Sequence, residues 1–299
     1  MDIKAVLRRW RAERRTTRAA RAFYGRSPSP ESAEAHDLRV ELALARSRAL
    51  RALHWTPDVV PRAQLAACFD SLSVRDPGIP LIRVGGDRDG GYLVPDDLED
   101  IVACFSPGVD DRASFEAALV ERGIPCHLLD ASVTGPPFEH PLLSFSPLFL
   151  GGVARPGWTT LASWVGQAGP ATGDLVLQMD IEGWEWEVLA GTDDATLNRF
   201  RILVIELHDL HLLATTCGMR RCEEAFARLQ RSFALVHVHP NNYEFPVDYL
   251  GFRLHPVVET TWIRRDRMRQ DQPASALGHP LEQANATDLP DFLLDPRWA

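Results

Sequence analysis

The sequence predicts an α/β fold: a mainly parallel sheet with helices on both faces, preceded by an N-terminal helical extension. Three observations predict it. From about residue 80, short apolar runs alternate with helical stretches, the pattern of β-α-β crossovers. The runs are nearly continuous in apolar residues, as strands are when helices cover both faces. Five successive runs end on polar residues, at the edge where open α/β sheets place ligands.

The elements follow in order. Residues 1–24 read as a basic helix, with Ile3, Val6, Leu7 and Trp10 at helical spacing and Arg on the other faces. Ser27-Pro28-Ser29-Pro30 ends it as a linker. Glu31 to Leu53 is a second helical stretch, and Pro61 to Leu72 a third with Pro in its first turn. Residues 1–75 therefore read as a helical extension and residues 76–266 as the sheet domain. The predicted strands are Leu81–Val84, Tyr92–Val94, Ile101–Ser106, Pro125–Leu129, Leu175–Met179, Arg201–Ile205, Ala234–Val238 and Val257–Ile263. The predicted helices are Arg112–Arg122, one beginning over Thr159–Val165, Trp184–Ala190 and Arg220–Arg231. Residues 267–299 are polar, with one apolar island at Phe292-Leu293-Leu294, and read as a surface tail.

Charge narrows the function classes. The chain of 299 residues carries −9 overall, which argues against a general nucleic-acid binder. Residues 1–26 hold nine basic and two acidic residues, a charge of +7 that leaves −16 for the rest. That basic helix is expected to dock on an anionic membrane surface or on an acidic protein face. No apolar run is long enough to span a bilayer, and no apolar stretch of signal-peptide type follows the basic start. The five scattered cysteines suggest reduced thiols. Together these features lead us to expect a cytoplasmic protein, peripheral to the membrane at most. Homo-oligomerisation stays open.

The strand ends carry the chemistry. They present Gly108 with Asp110 and Asp111, Asp130 with Ser132, Asp180 with Glu182, Glu206 with His208, and His239 with Asn241 and Asn242. Turn residues alone would supply some of these, but five consecutive ends of one kind exceed that reading. Asp130 lies 22 residues after Gly108, at the next strand end. There a carboxylate accepts hydrogen bonds from the ribose of a nucleoside cofactor held on the first βα turn. The turn Ser106-Pro107-Gly108-Val109-Asp110-Asp111 has one glycine and added acids, which disfavours a pyrophosphate and suits a cationic cofactor without phosphates, such as S-adenosylmethionine. Gly85-Gly86-Asp87-Arg88-Asp89-Gly90-Gly91 lacks the Lys-Ser/Thr ending of a phosphate loop. It reads as a tight hairpin or as a loop across the cofactor site, bringing Asp89 and Tyr92 to it.

These residues also carry a resemblance. Leu177 to Leu189, with Asp180-Ile181-Glu182-Gly183, resembles the Asp-Ile-Glu-Gly motif of the FkbM family of S-adenosylmethionine-dependent methyltransferases, and Ile202 to His208 is similar to that family's next strand. Arg83-Val84-Gly85-Gly86-Asp87-Arg88-Asp89-Gly90-Gly91-Tyr92 resembles the Arg-x-Gly-x-x-x-Asp-Gly-Gly-Tyr signature of a methyltransferase-like subgroup, as do His237 to Asn242 and Val258 to Trp262. Trp184 departs from the small residue expected after Gly183. The resemblance covers roughly residues 80–264. It implies a class I methyltransferase, Rossmann-like fold and O-methylation of a sugar, glycan or other small acceptor. In it Gly108 holds the methionine end and Asp130 the ribose, with Ser132 beside it. Asp180 and Glu182 close the fourth strand, and Glu206 and His208 face the acceptor.

An acceptor hydroxyl needs a base, for which His208 is the first choice and His239 the alternative. Asp180, Glu206 and His208 are also expected to suit a divalent metal, magnesium or manganese. Trp186 reads as core and Trp184 as the better candidate for acceptor contact. Acceptor specificity is expected in Val133 to Trp158 and Asp209 to Met219, both read as irregular. The competing readings are a metal-dependent glycosyltransferase and a non-catalytic scaffold of the same fold.

Overall fold

A computed structural model describes residues 59–110 and 112–299. The basic helix, the second helical stretch and Asp111 lie outside the described residues. The third predicted helix is present as α1 (Arg62–Ser71), which buries Leu65, Cys68 and Phe69.

Three short strands, β1 (Arg75–Asp76) and the hairpin pair β2 (Leu81–Gly85) and β3 (Gly91–Pro95), precede the main sheet. There follow β4 (Ile101–Pro107), α2 (Ser114–Val120), β5 (Cys126–Leu129), β6 (Leu143–Ser146), the small pair β7 (Phe149–Leu150) and β8 (Trp158–Thr159), and α3 (Leu161–Ala168). The second half runs β9 (Asp174–Met179), α4 (Glu185–Gly191), α5 (Asp194–Leu197), β10 (Phe200–Leu207), α6 (Thr216–Ser232) and β11 (Phe233–Pro240). It closes with the hairpin β12 (Val247–Tyr249) and β13 (Phe252–Leu254), then β14 (Val258–Arg264) and β15 (Gln272–Pro273).

The seven-stranded sheet has the order β6-β5-β4-β9-β10-β14-β11. All its pairings are parallel except those of β14, which runs antiparallel to both neighbours. The chain builds outward from β4 to β6, then returns to β9 on the other side of β4. That reversal makes the carboxyl ends of β4 and β9 the switch point where open sheets bind ligands.

The predicted texture explains the strands. Every residue of β10 and of β11 is buried. Alternate side chains feed opposite faces: Phe105, Leu177 and Leu203 join one core, while Cys104, Val176 and Val204 join the other with Tyr92, Phe115 and Leu119. Helix α6 is amphipathic and starts where Thr215 Oγ1 accepts the Gly218 N–H. Thr160 caps α3 in the same way through Ser163.

Two expectations need correction. The stretch Val133 to Trp158 is not wholly irregular, because Leu143–Ser146 forms the sheet's edge strand, paired with β5. Only one of its faces is packed, so it lacks the continuous apolar run of the inner strands. The tail after residue 266 does not lie free on the surface. β15 pairs with β1, and Trp298 is 1% exposed and packs edge-on against Phe69 at 5.3 Å. Asn242 Nδ2 donates to the Ala286 carbonyl at 2.9 Å, and the Ala286 N–H donates back to Asn242 Oδ1. Polar anchors and one buried indole hold this segment, not a periodic apolar face.

Candidate active site

The turn after β4 sets the geometry. Gly108 has φ +88°, and a Cβ there would sit 1.6 Å from the Asp180 carbonyl oxygen. The turns ending β4 and β9 therefore meet backbone to backbone, which only glycine allows. The Asp180 N–H donates to the Pro107 carbonyl across this seam at 3.3 Å.

A cleft opens beside the seam, lined by Asp89, Gly90, Tyr92, Gly108, Val109, Asp110, Arg112, Gln178 and Asp180. The glycine-rich segment is the turn of the β2–β3 hairpin, and its Asp89 and Gly90 wall this cleft. Four acidic residues line it, Asp89, Asp110, Glu116 and Asp180, with Arg112 Nη1 3.4 Å from Asp89 Oδ2.

Asp130 follows β5 and is buried. Its Oδ2 accepts the Asp110 N–H at 3.0 Å, and its Oδ1 accepts the Ser132 N–H at 2.7 Å and hydroxyl at 2.5 Å. The carboxylate ties the β4 turn to the β5 turn. Asp130 and Ser132 adjoin the cleft through Asp110 and are not among its lining residues.

Behind Tyr92 runs a buried polar chain that the sequence reading missed. Gln178 Nε2 donates to the Tyr92 hydroxyl at 3.2 Å, and Ser106 Oγ donates to Gln178 Oε1 at 2.7 Å. Ser106 Oγ also bonds Glu116. Burial raises the Glu116 pKa, and the Ser106 hydrogen bond opposes the rise. Burial, with Glu206 and Asp180 nearby, also holds the Tyr92 phenol in its protonated form.

The cleft ends at Asp180, where a second group of side chains begins. His208 Nε2 lies 3.8 Å from Asp180 Oδ1 and 3.6 Å from Glu182 Oε2. Its Nδ1 lies 3.1 Å from Glu185 Oε1 and 3.2 Å from the Glu206 carbonyl oxygen. Glu185 is 0% exposed and also accepts the N–H groups of Ile181 at 2.9 Å and Gly183 at 3.0 Å, so one carboxylate clamps the loop and the imidazole together. Trp186 Nε1 donates to the His208 carbonyl at 2.8 Å. The sequence offered one signal for Glu185, its place in Asp-x-Glu-x-x-Glu, but a glutamate on a short helix ordinarily reads as solvated.

The charges are unequal. Burial alone would lower the His208 pKa, but Glu185, Glu182 and Asp180 carry it well above its ordinary value. The three acids thus favour the protonated form of His208, the residue read as the first choice of base. Burial raises Asp180 to about 6, with His208 opposing and Glu182 and Asp89 adding to the rise. Glu206 is pushed well above the carboxylate range by burial and by Asp180. It accepts from Asn241 Nδ2 at 2.5 Å, and so stands behind Asp180 and not at the ligand-facing apex of the group. Of the expected trio of Asp180, Glu206 and His208, Asp180 and His208 lie within ligand range of each other, and Glu182 takes the place of Glu206.

His239 lies apart from the cleft. Its Nδ1 is 3.6 Å from Glu259 and its Nε2 3.5 Å from Asp291 of the tail. Trp186 is core, and Trp184 is half-buried, its ring 4.5 Å from that of Trp158. Arg155 stacks on both, at 3.9 and 5.0 Å.

The comparisons with known proteins bear on this second half of the site. Residues 156–244 match the methyltransferase FkbM domain. The matched segment contains Asp180, Glu182, Glu206, His208 and His239, and ends before β14; Gly108, Asp130 and the segment Arg83 to Tyr92 precede it. The match supports methyl transfer as the class of activity. A comparison with curated proteins finds no match. Among solved structures, the chain is similar to one from a fibrillarin/Nop5p complex, with 11% identity over 55% of this chain and 72% of that one and a TM-score of 0.34. Among the described residues, no helix is long and apolar enough to cross a membrane.

Proposed function

We propose that the protein is an S-adenosylmethionine-dependent O-methyltransferase that acts on a hydroxyl of a sugar, glycan or other small acceptor. One observation carries this reading. The cleft at the sheet's switch point is walled by Asp89, Asp110 and Asp180 and runs into the Asp180–Glu182–His208 group, within a chain whose residues 156–244 match a methyltransferase domain. An acidic wall suits a cofactor whose sulfur and amino group are cationic, and it repels a pyrophosphate.

When bound, S-adenosylmethionine supplies a methyl group on a positively charged sulfur. The protein's own groups do the rest. Asp130 holds the turn on which the ribose would rest and offers it a charged acceptor. Tyr92 keeps its hydroxyl proton and presents it at the cleft wall. Asp180 stands where the cleft ends, the place at which an acceptor hydroxyl would be held. Alignment of the two reactants within the walled cleft supplies the remaining acceleration.

Calorimetry tests the reading. Micromolar binding of S-adenosylmethionine, with no binding of UDP- or GDP-sugars, is expected. Nucleotide-sugar binding alone would replace it with a glycosyltransferase, and binding of neither would leave a scaffold.

A further inference from the structure

We propose that Asp180, Glu182 and His208 form a binding site for one divalent cation of the manganese–magnesium class, next to the cofactor cleft. The three side chains come from two strand ends: Asp180 and Glu182 follow β9, and His208 follows β10. One ligand atom from each lies within 4.8 Å of the others. The two edges that meet at His208 Nε2 measure 3.6 and 3.8 Å. An ion about 2.1 Å from each ligand sets edges of roughly 3.0–3.4 Å, so those two edges need close by only a few tenths of an ångström, while the third lies within 4.8 Å.

Two further observations point to an ion beyond the clustering of charge. Asp180 Oδ1, the atom facing His208 Nε2, is sealed from solvent and has no hydrogen-bond partner. A buried carboxylate oxygen left in that state is open to completion by an ion. The imidazole, moreover, is already oriented as a ligand. Glu185 and the Glu206 carbonyl occupy its Nδ1 side, which leaves Nε2 toward the two acids. A metal-binding histidine almost always gives its other ring nitrogen to a carboxylate or carbonyl in this way. Two carboxylates and one imidazole suit manganese, with magnesium as the harder alternative.

Binding of the ion stands apart from the methyl-transfer reading, whereas its role rests on that reading. There the cation would lower the pKa of an acceptor hydroxyl at the end of the cleft.

The test uses the full chain, stripped by chelator and titrated with Mn²⁺ under electron paramagnetic resonance. One ion per chain is expected, with nitrogen modulation from His208 in the pulsed spectrum. Glu182→Gln, which alters a partly exposed side chain, should weaken Mn²⁺ at least tenfold with the circular dichroism unchanged. His208→Ala should abolish the nitrogen modulation. Glu185→Gln should weaken binding about 10–100-fold through the ligand it orients. Mg²⁺ should compete for the site. Absence of bound Mn²⁺, or equal binding by the wild type and Glu182→Gln, would overturn the site and leave the three side chains an internal charge cluster. Calorimetry with S-adenosylmethionine on the same stripped sample judges the functional reading separately. Mn²⁺ binding without methyl-donor binding would overturn that reading and uphold the site.

Discussion

Gly108→Ala and Gly123→Ala make a matched pair that tests how the two halves of the cleft are joined. Both glycines have a left-handed backbone, at φ +88° and +79°, but only Gly108 has neighbours: an added Cβ would meet the Asp180 carbonyl oxygen at 1.6 Å, while at Gly123 nothing lies within 4 Å. The backbone penalty, about 1–2 kcal/mol for an L side chain, falls on both. To reach an ordinary carbon–oxygen contact of roughly 3.3 Å, the ends of β4 and β9 must part by well over an ångström. The Asp180 N–H to Pro107 carbonyl bond, already 3.3 Å long, would then be lost. Overpacking of this kind costs about 1–3 kcal/mol, so the expected totals are about 1–2 kcal/mol for Gly123→Ala and about 2–5 kcal/mol for Gly108→Ala. Urea unfolding followed by circular dichroism reads both, and calorimetry should show methyl-donor affinity reduced only for Gly108→Ala. Stabilities that agree within about 0.5 kcal/mol would refute the claim that the seam is held by backbone contact.

Other expectations are simpler to state. Asp130→Ala should weaken methyl-donor binding by about 1–3 kcal/mol, because ribose hydroxyls lose a charged acceptor and Asp110 and Ser132 lose their anchor; an unchanged Kd would remove Asp130 from the cofactor site. His239 is carried to about 10, against burial, by Asp291 and Glu259. Its contribution to holding the tail is therefore complete below about pH 6.5 and is lost as pH rises through about 10. Limited proteolysis of residues 267–299 should accelerate above pH 9, and at lower pH in Asp291→Asn; a rate that is flat to pH 10.5 in both would sink the idea. Thr215→Ala should cost about 1 kcal/mol in thermal or urea unfolding by uncapping α6.

Much of this architecture was legible in the sequence, for physical reasons that also explain the gaps. Strands buried on both faces, such as Phe200–Leu207, announce themselves by unbroken apolar runs. Leu143–Ser146 did not, because an edge strand with one packed face reads like loop. The polar strand ends pointed to the right sheet edge, and Gly108 and Asp180 meet there. They did not reveal which acids stand in front. Glu206 faces Asn241 from inside β10, whereas Glu182, in the following turn at φ +57°, reaches His208. Glu185 was hidden because nothing in a single sequence distinguishes a glutamate that clamps a loop from one that meets solvent. The tail escaped because Asn285, Asp291 and Trp298 dock singly, with no period to detect.

Strand β14 has a consequence for how the protein is made. It lies between β10 and β11 but follows both in the chain, so during synthesis β11 has no hydrogen-bonding neighbour until residues 258–264 have emerged. Until then the nascent sheet presents two unpaired apolar edges, the arrangement most prone to association with other chains. Insertion of β14 satisfies both edges at once. The slow, aggregation-exposed step of folding is thus the arrival of one late strand, and a ribosome stalled between residues 240 and 258 would display the most vulnerable form of the molecule.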